Sequence, residues 1–138
     1  MFKVEPIRSP ELHRDVCAHL GCDYAEGTYA FLVGEMNEDF SAITDVFGIC
    51  QFVLDPTEAV IRSIAYSESH KDDEAITIMV RAVMSFCYRA EIPSIAIEDG
   101  AASEDYIKSI GFRQKDGVWR VDLKKFYTSP CHYNAENK

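Results

Sequence analysis

Long apolar runs are missing from this sequence of 138 residues. No run approaches the roughly 20 apolar residues that a helix needs to cross a bilayer, and the N-terminal segment lacks the apolar stretch and cleavage site of a secretory signal. The five cysteines are an odd number, so a secreted disulfide framework is not expected. We therefore expect a cytoplasmic protein with no membrane partner.

Basic side chains are also scarce. The chain has 14 Lys and Arg against 23 Asp and Glu, which gives a formal net charge of −9 at pH 7. Because nucleic-acid binding gains most of its affinity by neutralising phosphates, no nucleic-acid partner is expected. Hydrophobic residues are plentiful at 47%, enough for one domain with its own core. We expect a single domain over residues 1–127 and a polar C-terminal tail over residues 128–138.

The spacing of apolar residues predicts an α/β fold of the α+β kind. Alternating, β-branched and aromatic runs predict strands at Lys3–Ile7, Thr28–Met36, Ile43–Leu54, Ala59–Tyr66, Ser94–Ile97 and Val118–Leu123. Ser9 and Pro10 are typical of a helix start, and Gly21 ends that first helix. Apolar residues at helical spacing over 72–90 predict the longest helix.

A last helix is predicted from Ala102 to Ile110, because Gly111 suits the left-handed position that ends a helix and Phe112 can pack back on its last turn. The strand, helix, strand unit around the long helix predicts one parallel pair of strands, and the other links are short and favour antiparallel pairing. The sequence therefore predicts a mixed, mostly antiparallel sheet of six or seven strands with flanking helices.

Four residues, Ala102, Tyr106, Gly111 and Phe112, form the motif Ala-x-x-x-Tyr-x-x-x-x-Gly-Phe. With the order of the elements, this motif resembles the GNAT N-acetyltransferases, most closely over residues 59–123. The resemblance implies a single GNAT-like domain with acetyl-coenzyme A as co-substrate and a primary amine of a small molecule or peptide as acceptor. It also implies that Tyr106 supplies a proton or a hydrogen bond to the thiol sulfur.

The resemblance implies further cofactor contacts. The pyrophosphate would rest on amides at the start of the long helix, in the segment made of Lys71, Asp72, Asp73, Glu74, Ala75 and Ile76. Tyr66 and Ser67 would offer backbone groups at the end of a strand, and Asp99 stands where the family often has an asparagine.

The segment over residues 71–76 departs from the family pattern. It has no glycine, and Glu74 and Ile76 stand where the family has small residues. Carboxylates in a first helical turn are stabilised by the helix dipole, but they occupy the positive end that a phosphate would use. This departure leaves a second hypothesis open, a GNAT-like binding or assembly module that has lost coenzyme A binding and catalysis.

Other candidate residues carry less information. Glu58, Glu68 and Glu98 lie at strand ends and could act as a general base through water. His13, Cys17 and Cys22 could be drawn as metal ligands, but no fourth ligand stands nearby, so no metal is expected. Exposed strand edges could support self-association, for example as a homodimer.

Overall fold

The computed structural model describes residues 2–39, 42–68 and 73–128. The strands are β1 (Phe2–Pro6), β2 (Tyr29–Met36), β3 (Ile43–Val53), β4 (Ala59–Tyr66), β5 (Ser94–Ile97), β6 (Arg113–Lys115) and β7 (Val118–Asp122). The helices are α1 (Pro10–Leu20), α2 (Asp73–Arg89), α3 (Glu104–Ser109) and α4 (Leu123–Thr128). None of the described helices is long and apolar enough to cross a membrane.

The seven strands form one sheet in the order β1-β2-β3-β4-β5-β7-β6. Only β4 and β5 pair in parallel, and α2 is the crossover between them. The other neighbours pair antiparallel. The predicted mixed, mostly antiparallel sheet with flanking helices is confirmed. Short links between strands favour antiparallel pairing, and the long link through a helix joins the parallel pair.

The two faces of the sheet are covered by different helices. The larger core lies under α2, whose side chains Met79, Val80, Val83 and Cys87 are fully buried, as their helical spacing predicts. A smaller core lies under α1, where Val16 and Cys17 pack against β2 and β3. The fold therefore has three layers, with the sheet in the middle.

Two short elements were not predicted. Strand β6 consists of three exposed polar residues, so it lacks the apolar alternation that identifies a strand. Helix α4 begins at Leu123, which the sequence predicts at the end of a strand, and it includes Thr128, which the sequence predicts in the tail. The long helix is described from Asp73, and residues 129–138 lie outside the described part of the chain.

Helix α3 is shorter than predicted. It begins at Glu104 rather than at Ala102, because the side chain of Ser103 caps it and accepts a hydrogen bond from the Tyr106 amide. Its end follows the prediction: Gly111 has a φ of 107°, and Phe112 is fully buried behind it. The tyrosine of the motif thus lies in the first turn of a six-residue helix.

Candidate functional site

A cleft opens where β4 and β5 diverge. The two strands pair only from Ala59 opposite Ile95 to Ile61 opposite Ile97, whereas β4 continues to Tyr66. The register between β3 and β4 shifts after Ile61, which leaves one extra residue on β4, as in a β-bulge. A bulge bends its strand and increases its twist, so it directs the second half of β4 away from β5.

Backbone hydrogen bonds cross the opening. The Glu98 amide donates to the Ile61 carbonyl at 2.9 Å, and the Ile64 amide donates to the Ala101 carbonyl at 3.2 Å. A carbonyl in the turn after β5 therefore accepts a hydrogen bond from a β4 amide that lies beyond the paired region. A ligand in the cleft cannot accept a hydrogen bond from the Ile64 amide unless the bond to Ala101 breaks.

The cleft has a volume of about 570 Å³, within the usual range for a small-molecule site. Its walls come from the end of β4, the start of α2, the first turns of α3 and the end of α1. Ile64, Ala65 and Ile76 give it an apolar surface, and Tyr106 faces it from α3. Four elements separated in sequence thus form one cleft, and it includes the tyrosine of the motif.

The phenol of Tyr106 is half-buried and lies 3.0 Å from Oγ1 of Thr77 on α2. Burial raises the pKa of Tyr106 above its ordinary value, and the hydrogen bond with Thr77 opposes this effect only in part. The phenol is therefore protonated at neutral pH. It can donate a hydrogen bond to a group that gains negative charge in the cleft.

The described charged residues that line the cleft are all acidic: Glu68, Asp73 and Asp105. Asp73 is the first residue of α2, at the positive end of the helix dipole. The potential in this part of the cleft therefore favours a cationic group over a phosphate.

The structure brings Tyr66, Asp73, Ile76 and Tyr106 together, and these four predicted site residues line one cleft. Ile76 is buried, and its Cδ1 lies against the backbone of Gly48 on β3. An isoleucine at this position fills space next to the sheet that a smaller residue would leave open.

The other predicted contact residues within the described part of the chain do not line the cleft. Ser67 is half-buried and donates its amide to the Phe47 carbonyl, Ala75 is buried, and Glu74 is exposed. Asp99 is exposed and lines a separate depression beside Glu98. Lys71 and Asp72 lie outside the described residues.

Of the three candidate bases, only Glu68 lines the cleft. Both carboxylate oxygens of Glu58 accept hydrogen bonds from Arg120, at 2.8 and 3.2 Å, and Ser94 donates a third hydrogen bond at 2.8 Å. This arginine lowers the pKa of Glu58, so the carboxylate stays ionised in a structural ion pair. Of the three candidates, Glu68 is therefore the one that lies beside the cleft, together with Asp73 and Asp105.

A buried glutamine that we did not single out holds the α1 side of the cleft. Gln51 on β3 is fully buried, and its side chain accepts from the Ala25 amide at 2.9 Å and donates to the Asp23 carbonyl at 3.0 Å. Its Oε1 also lies 2.8 Å from Nε2 of His13, which must therefore carry the proton. These bonds fix the chain that follows Cys22, a residue of the cleft wall.

The same region contains the residues that were considered as metal ligands, His13, Cys17 and Cys22. No group of three metal-ligating side chains occurs among the described residues. His13 is engaged by Gln51, and burial raises the pKa of Cys17 to about 12. With so high a pKa, this thiol is protonated at neutral pH.

Among known proteins, this chain matches solved structures but neither family models nor curated sequences. No protein-family model matches the sequence, and no curated protein matches it either. Solved structures do match. The NatC complex bound to Gag peptide and CoA superposes with a TM-score of 0.65 at 10% identity, over 88% of this chain and 98% of that one.

Two further structures match over a similar extent. A GNAT family acetyltransferase from Elizabethkingia anophelis with acetyl-CoA bound has a TM-score of 0.59 at 12% identity, over 88% of this chain and 97% of that one. The KacTA–DNA complex has a TM-score of 0.67 at 12% identity, over 96% of this chain and 99% of that one. At such identities the likeness concerns the fold, so this chain has the GNAT fold of acetyltransferases.

Proposed function

We propose that the protein is an N-acetyltransferase that moves the acetyl group of acetyl-coenzyme A to a primary amine of a small molecule or peptide. The observation that carries the proposal is the protonated phenol of Tyr106, held by Thr77 beside an apolar cleft between α2 and the diverging end of β4. A thioester and a pantetheine arm suit such a cleft in size and polarity.

The reaction joins the amine nitrogen to the thioester carbon and breaks the carbon–sulfur bond, so negative charge develops on the sulfur. Tyr106 is in position to donate a hydrogen bond to that sulfur. Because its pKa is raised, a hydrogen bond suits it better than complete proton transfer. Glu68, acting through water, would take the proton that an ammonium group must lose before it attacks.

The acceptor that we propose is cationic. Glu68, Asp73 and Asp105 provide negative charge on the described walls, and the chain as a whole carries a net charge of −9. Such a field attracts polyamines and lysine-like amines. It also opposes nucleic acid, so we propose no such partner, although the KacTA complex contains DNA. A cytoplasmic location is consistent with this chemistry and is part of the proposal.

Two observations favour the second hypothesis, a binding module without coenzyme A. The Ile64 amide is already engaged by the Ala101 carbonyl, and Asp73 lies at the end of the helix where the phosphates would sit. The described residues therefore match the thioester end of the co-substrate better than its phosphate end.

Calorimetric titration with acetyl-coenzyme A, together with an assay for released thiol in the presence of spermidine, separates the two hypotheses. The enzyme hypothesis expects micromolar binding and turnover. It also expects Tyr106→Phe to reduce turnover by roughly 10²-fold while binding is retained. Absence of binding at about 1 mM co-substrate would reject the enzyme and support the module.

A matched pair of variants tests the effect of the acids. Asp73 lines the cleft, whereas Glu74, the next residue of the same helical turn, does not. We expect Asp73→Asn to tighten acetyl-coenzyme A binding by roughly fivefold, because removal of a nearby like charge is worth about 1 kcal/mol. Glu74→Gln should have a smaller effect. Equal effects of the two variants would mean that the carboxylate of Asp73 does not face the phosphates.

A further inference from the structure

A second depression lies at the end of the sheet opposite the cleft. It has a volume of about 560 Å³ and lies between the last turn of α2 and the end of β1. The residues that characterise it are Arg8, Tyr29, Phe31, Phe52, Phe86 and Arg89. Ile76 of α2 lines the cleft and Phe86 lines this depression, so the two sites are about 15 Å apart along the helix axis.

Aromatic rings form the wall of this depression. Phe86 lies 5.6 Å from Phe31 and 6.1 Å from Phe52 between ring centroids, and Tyr29 stacks on Phe52 at 6.0 Å. Phe52 is fully buried, whereas Tyr29 is 56% exposed, an unusual exposure for so large a ring. The ring contacts thus connect buried Phe52 with exposed Tyr29, on which another aromatic group can stack.

The charge of this depression is opposite to that of the cleft and of the whole chain. Its charged lining residues, within the described part of the chain, are Arg8 and Arg89, both exposed. Neither arginine forms an ion pair with another described residue. Two guanidinium groups without an ion-pair partner among the described residues thus lie beside an aromatic wall, in a protein of net charge −9, and make the potential of this depression locally positive.

We propose that this depression binds a small aromatic carboxylate. The ring of the ligand packs against Tyr29 and Phe86, and its carboxylate accepts hydrogen bonds from Arg8 and Arg89. The chemistry matches both parts of the site, because a guanidinium pairs with a carboxylate in two-point geometry and aromatic rings favour stacked or edge contacts. The site is independent of acetyl transfer, since the cleft lies at the other end of α2.

The test uses three naphthalene probes with the full chain. 2-Naphthoate carries a carboxylate, 2-naphthamide is neutral and 2-naphthylmethylamine is cationic. Calorimetry should show that the carboxylate binds at least about tenfold more tightly than the amide. Amide chemical shifts at the depression should show the weakest binding there for the cation, whose binding to the acidic cleft they keep apart. The shifts that it causes should lie at the ends of β1, β3 and α2 and at the start of β2.

Matched arginine variants complete the test. Arg8→Gln and Arg89→Gln should each weaken 2-naphthoate binding by about fivefold, whereas Arg113→Gln, on the exposed strand β6, should leave it unchanged. All three changes are at exposed positions, and thermal unfolding confirms that the fold is retained. Equal affinity for 2-naphthoate and 2-naphthamide, insensitivity to both variants, or no binding at about 5 mM probe would each overturn the proposal.

Discussion

Tyr106 on α3 and Thr77 on α2 meet through their hydroxyl groups, which lie 3.0 Å apart at the edge of the cleft. Helix α3 has only six residues, too few to be stable alone in water. Ser103 caps its start, Ile107 anchors it in the core, and the bond to Thr77 ties its cleft side to the longest helix. The position of the phenol is therefore set by α2 as well as by its own helix.

Replacing Thr77 tests this connection without any assay of activity. The hydrogen bond with Thr77 lowers the pKa of Tyr106, while burial and Asp73 raise it and Arg81 lowers it. Removing one lowering contribution leaves the raising ones, so Thr77→Val should raise the phenol pKa further. Titration of ¹³Cζ-labelled tyrosine by NMR measures the change.

Thr77→Ser keeps the hydroxyl and is the matched control for this experiment. It should leave the pKa of Tyr106 close to that of the unchanged protein. If Thr77→Val gave the same titration curve as the unchanged chain, the hydroxyl contact would have no influence on the phenol. Tyr106 would then be positioned by α3 alone.

Most of the fold could be predicted because its elements bury regular stripes of apolar residues. Helix α2 places an apolar residue on the sheet at every helical turn. The sequences of β4 and β5 are mostly apolar, which is typical of buried strands. Strand β6 has no buried side chain, so its pairing with β7 depends on backbone bonds that leave no trace in the sequence.

The site could be predicted only where side chains carry the signal. Tyr106, the residue that the motif singles out, lines the cleft. The bond from the Ile64 amide to the Ala101 carbonyl joins backbone atoms, so no residue type indicates it. Gln51 did leave a signal, since it is the single polar side chain in residues 46–53 of β3, and such a residue needs buried partners.

Gln51→Met tests how much the buried glutamine contributes to stability. The change keeps the size of the side chain but leaves the Ala25 amide and the Asp23 carbonyl without their partner. Of the partners of Gln51, His13 is buried, Ala25 is half-buried and Asp23 is exposed. Because an unsatisfied buried group costs about 1–3 kcal/mol, we expect a loss of about 1–3 kcal/mol in the free energy of unfolding. Urea denaturation measures it.

The same variant should loosen the α1 side of the cleft. Hydrogen exchange should become faster for the amides after Cys22, because their hold on β3 is lost. Gln114→Met, on the exposed strand β6, is the control and should change stability by less than about 0.5 kcal/mol. A Gln51→Met protein as stable as the unchanged chain would show that water replaces the lost bonds.

The contact between Gly48 and Ile76 links the core to the cleft and predicts a coupled pair of variants. A Cβ atom at Gly48 would lie 2.6 Å from Cδ1 of Ile76 and 3.1 Å from the Ala65 carbonyl oxygen. Gly48→Ala should therefore cost about 1–3 kcal/mol through overpacking, and Ile76→Val, which removes Cδ1, about 0.5–1.5 kcal/mol.

Together the two changes should cost less than the sum of their separate effects, since the shorter side chain makes room for the new methyl group. A double-mutant cycle of urea denaturation measures this coupling. Strict additivity would mean that the Ala65 carbonyl, rather than Ile76, is what a methyl group at Gly48 meets.

The ion pair between Glu58 and Arg120 predicts a stability difference that depends on pH. Arg120 holds the pKa of Glu58 below its ordinary value, so the folded state favours the ionised carboxylate. Such a group stabilises the fold above its unfolded pKa, and the contribution is lost as the pH falls through the folded pKa. Glu58→Gln should thus lower Tm at pH 7 by roughly 1–4 °C, and this difference should shrink as the pH falls below the ordinary pKa of a glutamate.

Glu98→Gln is the matched control, because Glu98 also pairs with an arginine, Arg62, at 3.0 Å. The side chain of Glu98 is 51% exposed, whereas that of Glu58 is 26% exposed and accepts a further bond from Ser94. Solvent and salt screen the more exposed pair, so its loss should shift Tm less at every pH. Thermal unfolding from pH 3 to pH 7 compares the two variants, and a Glu58→Gln effect that persisted unchanged at pH 3 would mean that packing, not charge, is what the substitution removes.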